Sequence, residues 1–229
     1  MAKKVIGILG GMGPEATVDF MSKIIYNTPA KIDQEHLRIL VDNNPQVPDR
    51  TKAISKEGES CGPVLAEMAR NLEKWGADLL AMPCNTAHYF ADFITEAVKI
   101  PFVNMIEETA NTLVENGVKK VALFATDGTL RAGLYHQKLQ ETGIELVVPS
   151  EEYQEKVMRT IAGVKAGDYE TATAYKAELV DHVVARGAEA IILGCTELPI
   201  AFKDREGFNI TFYDPTDILA KAVVKKAIE

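Results

Sequence analysis

Two cysteines stand where a side chain could do acid–base work: Cys84, in Met82-Pro83-Cys84-Asn85-Thr86-Ala87-His88, and Cys195, in Leu193-Gly194-Cys195-Thr196-Glu197-Leu198-Pro199. Each follows a short apolar run of strand length and is itself followed by threonine within two residues. Open α/β sheets bind ligands at the carboxyl ends of their strands, so the two thiols are expected to meet across one cleft. Inverting the α-carbon of an amino acid requires a base on one face and an acid on the other, and a pair of cysteines can supply both. With each sulfur about 3 to 3.5 Å from the carbon, the thiols would stand roughly 6 to 7 Å apart, too far for a disulfide. One of them must ionise, which helix N-termini and nearby cations favour. The segments Asn85-Thr86-Ala87 and Thr196-Glu197 are expected to open helices and offer N–H donors to the thiolate or to a substrate carboxylate.

A single cysteine at a strand end reads as a small buried hydrophobe. Equivalent placement of two in a repeated architecture reverses that reading. Cys61, in Glu59-Ser60-Cys61-Gly62-Pro63, has no counterpart and is expected to be structural. The four histidines, His36, His88, His136 and His182, have no metal-ligand spacing and the cysteines are not paired, so no metal is expected. His88, four residues beyond Cys84, is expected to cap or pack.

The elements that must position these residues are legible as apolar runs at 5–9, 37–41, 79–82, 102–104, 121–124, 145–148, 190–193 and 211–213. Between them Val64-Leu65-Met68-Leu72 and Leu179-Val180-Val183-Val184 recur at helical spacing, with Gly76 and Gly187 where C-cap glycines belong. Such β/α alternation implies mostly parallel sheets covered on both faces. The order also repeats. Cys84 and Cys195 are 111 positions apart, and Ile100-Pro101-Phe102-Val103-Asn104 lies 110 positions before Ile210-Thr211-Phe212-Tyr213-Asp214. Two similar α/β domains follow, with the active site expected between them: residues 1–104 with 214–229, and residues 105–213.

The chain has 229 residues, 47% of them apolar, enough for a substantial core. A net charge of −8 without any Lys/Arg-rich run argues against a nucleic-acid partner. No apolar run approaches a membrane span of roughly 18 residues, and the apolar part of the N-terminus is too short for a signal peptide. Three cysteines without an even set suit the reducing cytoplasm.

Cys-Asn-Thr-Ala-His after one strand and Gly-Cys-Thr-Glu-Leu-Pro after the other closely resemble the aspartate/glutamate racemase superfamily. The opening Gly10-Gly11-Met12-Gly13-Pro14 resembles the aspartate racemase branch; glutamate racemases usually open with Asp-Ser-Gly and carry histidine where this chain has Glu197. The resemblance covers essentially the whole chain. It implies racemisation of a small dicarboxylic amino acid, most closely aspartate, without pyridoxal phosphate or other cofactor, by a homodimer. It implies Cys84 and Cys195 as the two acid/base groups and Glu197 as the assistant of its neighbouring cysteine. It places Asn85, Thr86, Thr126, Thr129 and Thr196 around the amino and α-carboxylate groups, with Met12, Gly13 and Asn44 lining the loops beside them. Arg50 and Lys165 resemble the family's substrate-side cations, and the planar fork of arginine suits a carboxylate.

Glutamate or broader specificity stays open, as do hydantoin racemase, maleate isomerase and arylmalonate decarboxylase chemistry, although two cysteines disfavour the decarboxylase. A dinucleotide site at Gly11-x-Gly13-x-x-Ala16 is disfavoured because Pro14 removes an N–H that a pyrophosphate could use. A non-enzymatic two-lobed binding protein would share the architecture but leaves the twin thiols unexplained.

Overall fold

Strand β1 (Ile6–Gly10) is buried along its whole length, as a strand must be when it runs inside a parallel sheet with helices on both faces. The computed structural model describes residues 3–229. After β1 come α1 (Pro14–Asn27), β2 (Ile39–Asn43), α2 (Arg50–Ile54), α3 (Gly62–Lys74), β3 (Leu79–Ala81), a 3₁₀ turn (Thr86–Phe90), α4 (Ala91–Thr95), β4 (Phe102–Val103) and α5 (Met105–Glu115). A second series follows: β5 (Lys120–Ala125), α6 (Asp127–Ala132), α7 (Leu134–Thr142), β6 (Glu145–Val147), α8 (Glu151–Ala166), α9 (Tyr169–Thr173), α10 (Lys176–Val184), β7 (Ala190–Gly194), α11 (Leu198–Ala201) and β8 (Thr211–Tyr213). Helix α12 (Pro215–Ile228) closes the chain.

Each series makes a four-stranded parallel sheet, and the strand order is the same in both: β2-β1-β3-β4 and β6-β5-β7-β8. The expected pair of like α/β sheets is therefore present. In each, the order reverses between the first and third strands, the place where open α/β sheets bind ligands at their carboxyl ends. The β1 and β3 loops flank it in the first sheet, the β5 and β7 loops in the second.

The chain divides into two compact units, one running to Glu108 and resuming at Thr216–Glu229, the other Thr109–Pro215. The first division lies inside α5, because Met105 is buried in the same apolar cluster as Ile6, Phe20 and Leu219. Helix α12 contributes Leu219, Ala220, Val223, Val224 and Ala227 to that cluster. On the other face of the first sheet, α3 buries Leu65, Met68, Ala69 and Leu72 at helical spacing. The second unit has its own core, built by Phe124, Ile191 and Leu193 under Val157, Ile161, Leu179 and Val183.

Several strands end earlier than their apolar runs suggest. β3 stops at Ala81, so Cys84 sits three residues beyond the ladder. β4 stops at Val103 because Asn104 turns its side chain onto α5, where Oδ1 accepts the Ile106 and Glu107 amides at 2.9 and 3.3 Å. The helices expected directly after the cysteines are also modest: a five-residue 3₁₀ turn after Cys84, and four residues of α11 after Cys195, where Pro199 removes one donor. Neither is long enough to gather an appreciable macrodipole. No helix among the described residues is long and apolar enough to cross a membrane.

Candidate active site

In the first unit the β1–α1 loop needs glycine at one position above all. Gly11 has φ +94°, and a Cβ there would fall 2.2 to 2.6 Å from the backbone of Asn44, so the loop lies directly on the segment after β2. Thr17 secures it: its hydroxyl accepts the Gly11 amide at 2.9 Å and donates to the Gly13 carbonyl at 3.2 Å. Gly13 differs, since a Cβ there would meet nothing within 4 Å. Met12 turns its side chain into the apolar cluster that also holds Leu9, Met82 and Cys84.

The segment after β2 is tied to itself. Asn44 Oδ1 accepts the Gln46 amide at 3.0 Å, and Asp49 caps α2 through the Lys52 amide at 2.9 Å. Arg50 opens α2 and donates Nη1 to the Val47 and Pro48 carbonyls, both at 3.2 Å. Both hydrogens of Nη1 are thereby engaged, which leaves Nε and Nη2 as the edge for a carboxylate. The Cys61 thiol donates to the same Pro48 carbonyl at 3.2 Å. Cys61 is fully buried, and burial pushes its thiol up to about 11, with Arg50 pulling weakly the other way. It braces the Arg50 loop as a neutral thiol.

Cys84, Asn85 and Thr86 are all buried where the chain leaves β3. The Cys84 amide donates to the Met82 carbonyl at 2.9 Å, and His88 Nδ1 lies 2.8 Å from the Cys84 carbonyl oxygen.

In the second unit Thr126 caps α6, accepting the Thr129 amide at 3.2 Å, and the two hydroxyls lie 3.0 Å apart. Behind them Gln154 Nε2 donates to the Ala125 carbonyl at 3.0 Å and to Asp127 Oδ1 at 2.8 Å, clamping the loop from α8. Gly194 admits no side chain, because a Cβ would lie 2.6 Å from Leu123 and 3.1 Å from the Phe124 carbonyl. Cys195 follows, and its thiol donates to Glu197 Oε2 at 2.8 Å. The Thr196 hydroxyl donates to the same oxygen at 3.2 Å, and Lys165 Nζ is 3.8 Å from Oε1. Burial, then the Glu197 carboxylate, raises the Cys195 pKa well above the ordinary thiol value, with Lys165 opposing. At neutral pH Cys195 is therefore a thiol, hydrogen-bonded to the Glu197 carboxylate.

The family profile described as Asp/Glu/hydantoin racemase matches residues 9–223. The chain belongs to this racemase family. It is 30% identical over 226 residues to the broad specificity amino-acid racemase RacX of Bacillus subtilis, covering 96% of each protein. Among solved structures it resembles the Picrophilus torridus aspartate racemase, with a TM-score of 0.88, 36% identity and coverage of 98% of this chain and 94% of that one. An aspartate racemase homologue from Pyrococcus horikoshii gives a TM-score of 0.82 at 29% identity, covering 99% and 100%. The protein is thus an isomerase of the racemase type, and its structural likeness falls in the aspartate racemase branch.

Within this racemase the residues singled out from sequence collect into two sets, each at the carboxyl ends of one sheet. Met12, Gly13, Asn44, Arg50, Cys84, Asn85 and Thr86 follow β1, β2 and β3. Thr126, Thr129, Cys195, Thr196 and Glu197 follow β5 and β7, and Lys165 reaches that set from the last turn of α8. Lys165 is the loosest member, with its side chain 54% exposed. Sequence reading missed Thr17 and Gln154. Both act on backbone groups of other segments, and a threonine or glutamine on an amphipathic helix carries no signal of that.

Proposed function

We propose that this racemase interconverts the L and D enantiomers of aspartate by two-base proton transfer, with Cys84 and Cys195 on opposite faces of one α-carbon. The observation that carries the reading is the Cys195–Glu197 hydrogen bond, a buried thiol kept protonated beside a carboxylate. For one enantiomer the Cys84 thiolate takes the α-hydrogen as a proton. The electron pair of the C–H bond moves into the α-carboxylate as an enolate-like system, and Cys195 delivers its proton to the opposite face. For the other enantiomer Glu197 first accepts the Cys195 proton, the Cys195 thiolate takes the α-hydrogen as a proton, and Cys84, now the thiol, delivers its proton to the opposite face.

Hydroxyls of Thr86, Thr126 and Thr129, with Asn85, hold the amino and α-carboxylate groups and meet the developing negative charge, while Thr196, whose O–H is given to Glu197, offers the ammonium a lone pair. Met12, Gly13 and Asn44 shape the loops around the substrate. Arg50 takes the side-chain carboxylate through its Nε–Nη2 edge, and Lys165 adds a second positive charge beside Glu197. This chemistry calls on no cofactor or metal. The protein is read as a homodimer of the cytoplasm, which light scattering of the purified chain tests for assembly state.

The test is a chiral assay of D- and L-aspartate, D- and L-glutamate and a panel of neutral amino acids in deuterated water. Aspartate should racemise with solvent deuterium at Cα. Whole-length similarity to a broad specificity racemase favours a second reading, in which alanine or homoserine turns over as fast as aspartate. That outcome would replace the dicarboxylate assignment.

A further inference from the structure

His88 is buried in the 3₁₀ turn after Cys84, and both its ring nitrogens are engaged by main-chain groups. Nδ1 lies 2.8 Å from the Cys84 carbonyl oxygen, and Nε2 lies 3.1 Å from the Met105 amide nitrogen. A carbonyl can only accept and a backbone amide can only donate, so one tautomer is imposed: the proton is on Nδ1 and the lone pair on Nε2. A second proton, on Nε2, would face an N–H. Burial holds the imidazole pKa down at about 4, opposed by the bond to Cys84. The ring also lies against Phe102, with centroids 5.5 Å apart.

The placement of these two bonds matters. Cys84 has left the ladder of β3, and Pro83 before it has no N–H to give. At the other end, α5 starts with its first amides satisfied from outside the helix, Met105 by His88 and the next two by Asn104. We propose that His88 is a positioning residue for Cys84, holding the carbonyl of the cysteine against the start of α5 so that the thiol keeps a fixed direction. The proposal rests on the reading of Cys84 as an acid/base group. An apolar residue could fill the same volume, but it would leave a buried carbonyl and a buried amide short of these partners. Displacement of a reacting group by about 1 Å is enough to cost roughly 10²-fold in rate.

Two substitutions separate the bonds. His88→Asn keeps an N–H near the place of Nδ1 and loses the acceptor for Met105; His88→Gln keeps an acceptor near Nε2 and loses the donor to Cys84. The expected result is a fall in kcat of roughly 10²-fold for His88→Gln with KM nearly unchanged, and substantial rescue in His88→Asn despite lower stability. Alkylation of Cys84 by iodoacetamide, followed by mass spectrometry of the Cys84 peptide, should change several-fold in His88→Gln and little in His88→Asn. Long-range ¹H–¹⁵N NMR of the parent protein should show the Nδ1–H tautomer, unchanged from pH 8 to pH 5. The opposite tautomer, titration of His88 within that range, or a His88→Gln protein of parental kcat and parental Cys84 alkylation would each overturn the proposal. If Cys84→Ala kept full racemisation, the acid/base reading of Cys84 would fall, while the tautomer and alkylation results would still decide for or against His88.

Discussion

Glu197 receives the Cys195 thiol on one carboxylate oxygen at 2.8 Å while Lys165 stands 3.8 Å from the other. The carboxylate raises the thiol pKa and the lysine counters that effect; in the proposed mechanism the carboxylate also takes the thiol proton. Replacing Glu197 with glutamine keeps the shape and removes the charge. The Cys195 pKa should fall, so its alkylation should become faster at a given pH below the ordinary thiol value. Racemisation should slow by about 10² to 10⁴-fold, the usual worth of a positioned proton carrier. Parental kcat in Glu197→Gln would remove Glu197 from the mechanism.

Neither cysteine should be replaceable. Cys84→Ala and Cys195→Ala should each abolish racemisation in both directions, with far-UV circular dichroism unchanged, since the lost volume is one sulfur atom. Near-normal turnover by either variant would sink the two-base mechanism.

Arg50 should govern choice of substrate. Losing a charge-assisted bond to the side-chain carboxylate costs on the order of 1.5 to 3 kcal/mol, so Arg50→Leu should raise KM for aspartate by roughly 10 to 200-fold. Any residual turnover of a neutral amino acid should be unaffected. Equal losses for both substrates would point to a structural role in the loop that Arg50 shares with Pro48 and Cys61.

Two glycines of one loop should respond oppositely. Gly11→Ala forces a Cβ onto the Asn44 backbone at positive φ and should lower the unfolding free energy by about 2 kcal/mol or more. Gly13, whose φ is −101°, has open space where a Cβ would go. Gly13→Ala should therefore melt close to the parent while losing kcat/KM, because the methyl occupies room assigned here to substrate. Paired melting curves and kinetics decide it.

Stability should fall on both sides of neutrality. His88 has a pKa of about 4 in the folded chain against 6.5 ordinarily, so below pH 6.5 the unfolded state binds a proton that the folded state does not. The loss grows to roughly 3 kcal/mol by pH 4. On the alkaline side Cys61, pushed up to about 11, remains neutral where an unfolded thiol ionises from about 9, and stability declines as pH rises through that window. Urea unfolding between pH 4 and 11 checks both limbs, and the acid limb should flatten in His88→Asn.

Local pattern made much of this architecture readable. The eight strands of the described residues lie within the apolar runs or within two residues of them, because a central parallel strand is a continuous apolar segment and the helix before each cysteine strand has its core positions at fixed spacing. The ends were less legible. Asn104 reads as the close of a strand until its side chain is found capping α5, and Asn85 reads as a helix start although only a 3₁₀ turn follows.

Read by itself, the chain determined that two like α/β halves exist, that a cysteine follows the third strand of each, and that threonines, an arginine and a glutamate accompany them. These are properties of short segments and of their repetition. Tertiary structure alone decided that Thr17 holds the Gly11 loop, that Gln154 clamps the Thr126 loop, and that both ring nitrogens of His88 meet main-chain groups. Each depends on a partner distant in sequence or on a main-chain group, and main-chain groups are alike at nearly every residue. Only the fold says which carbonyl a given side chain will meet.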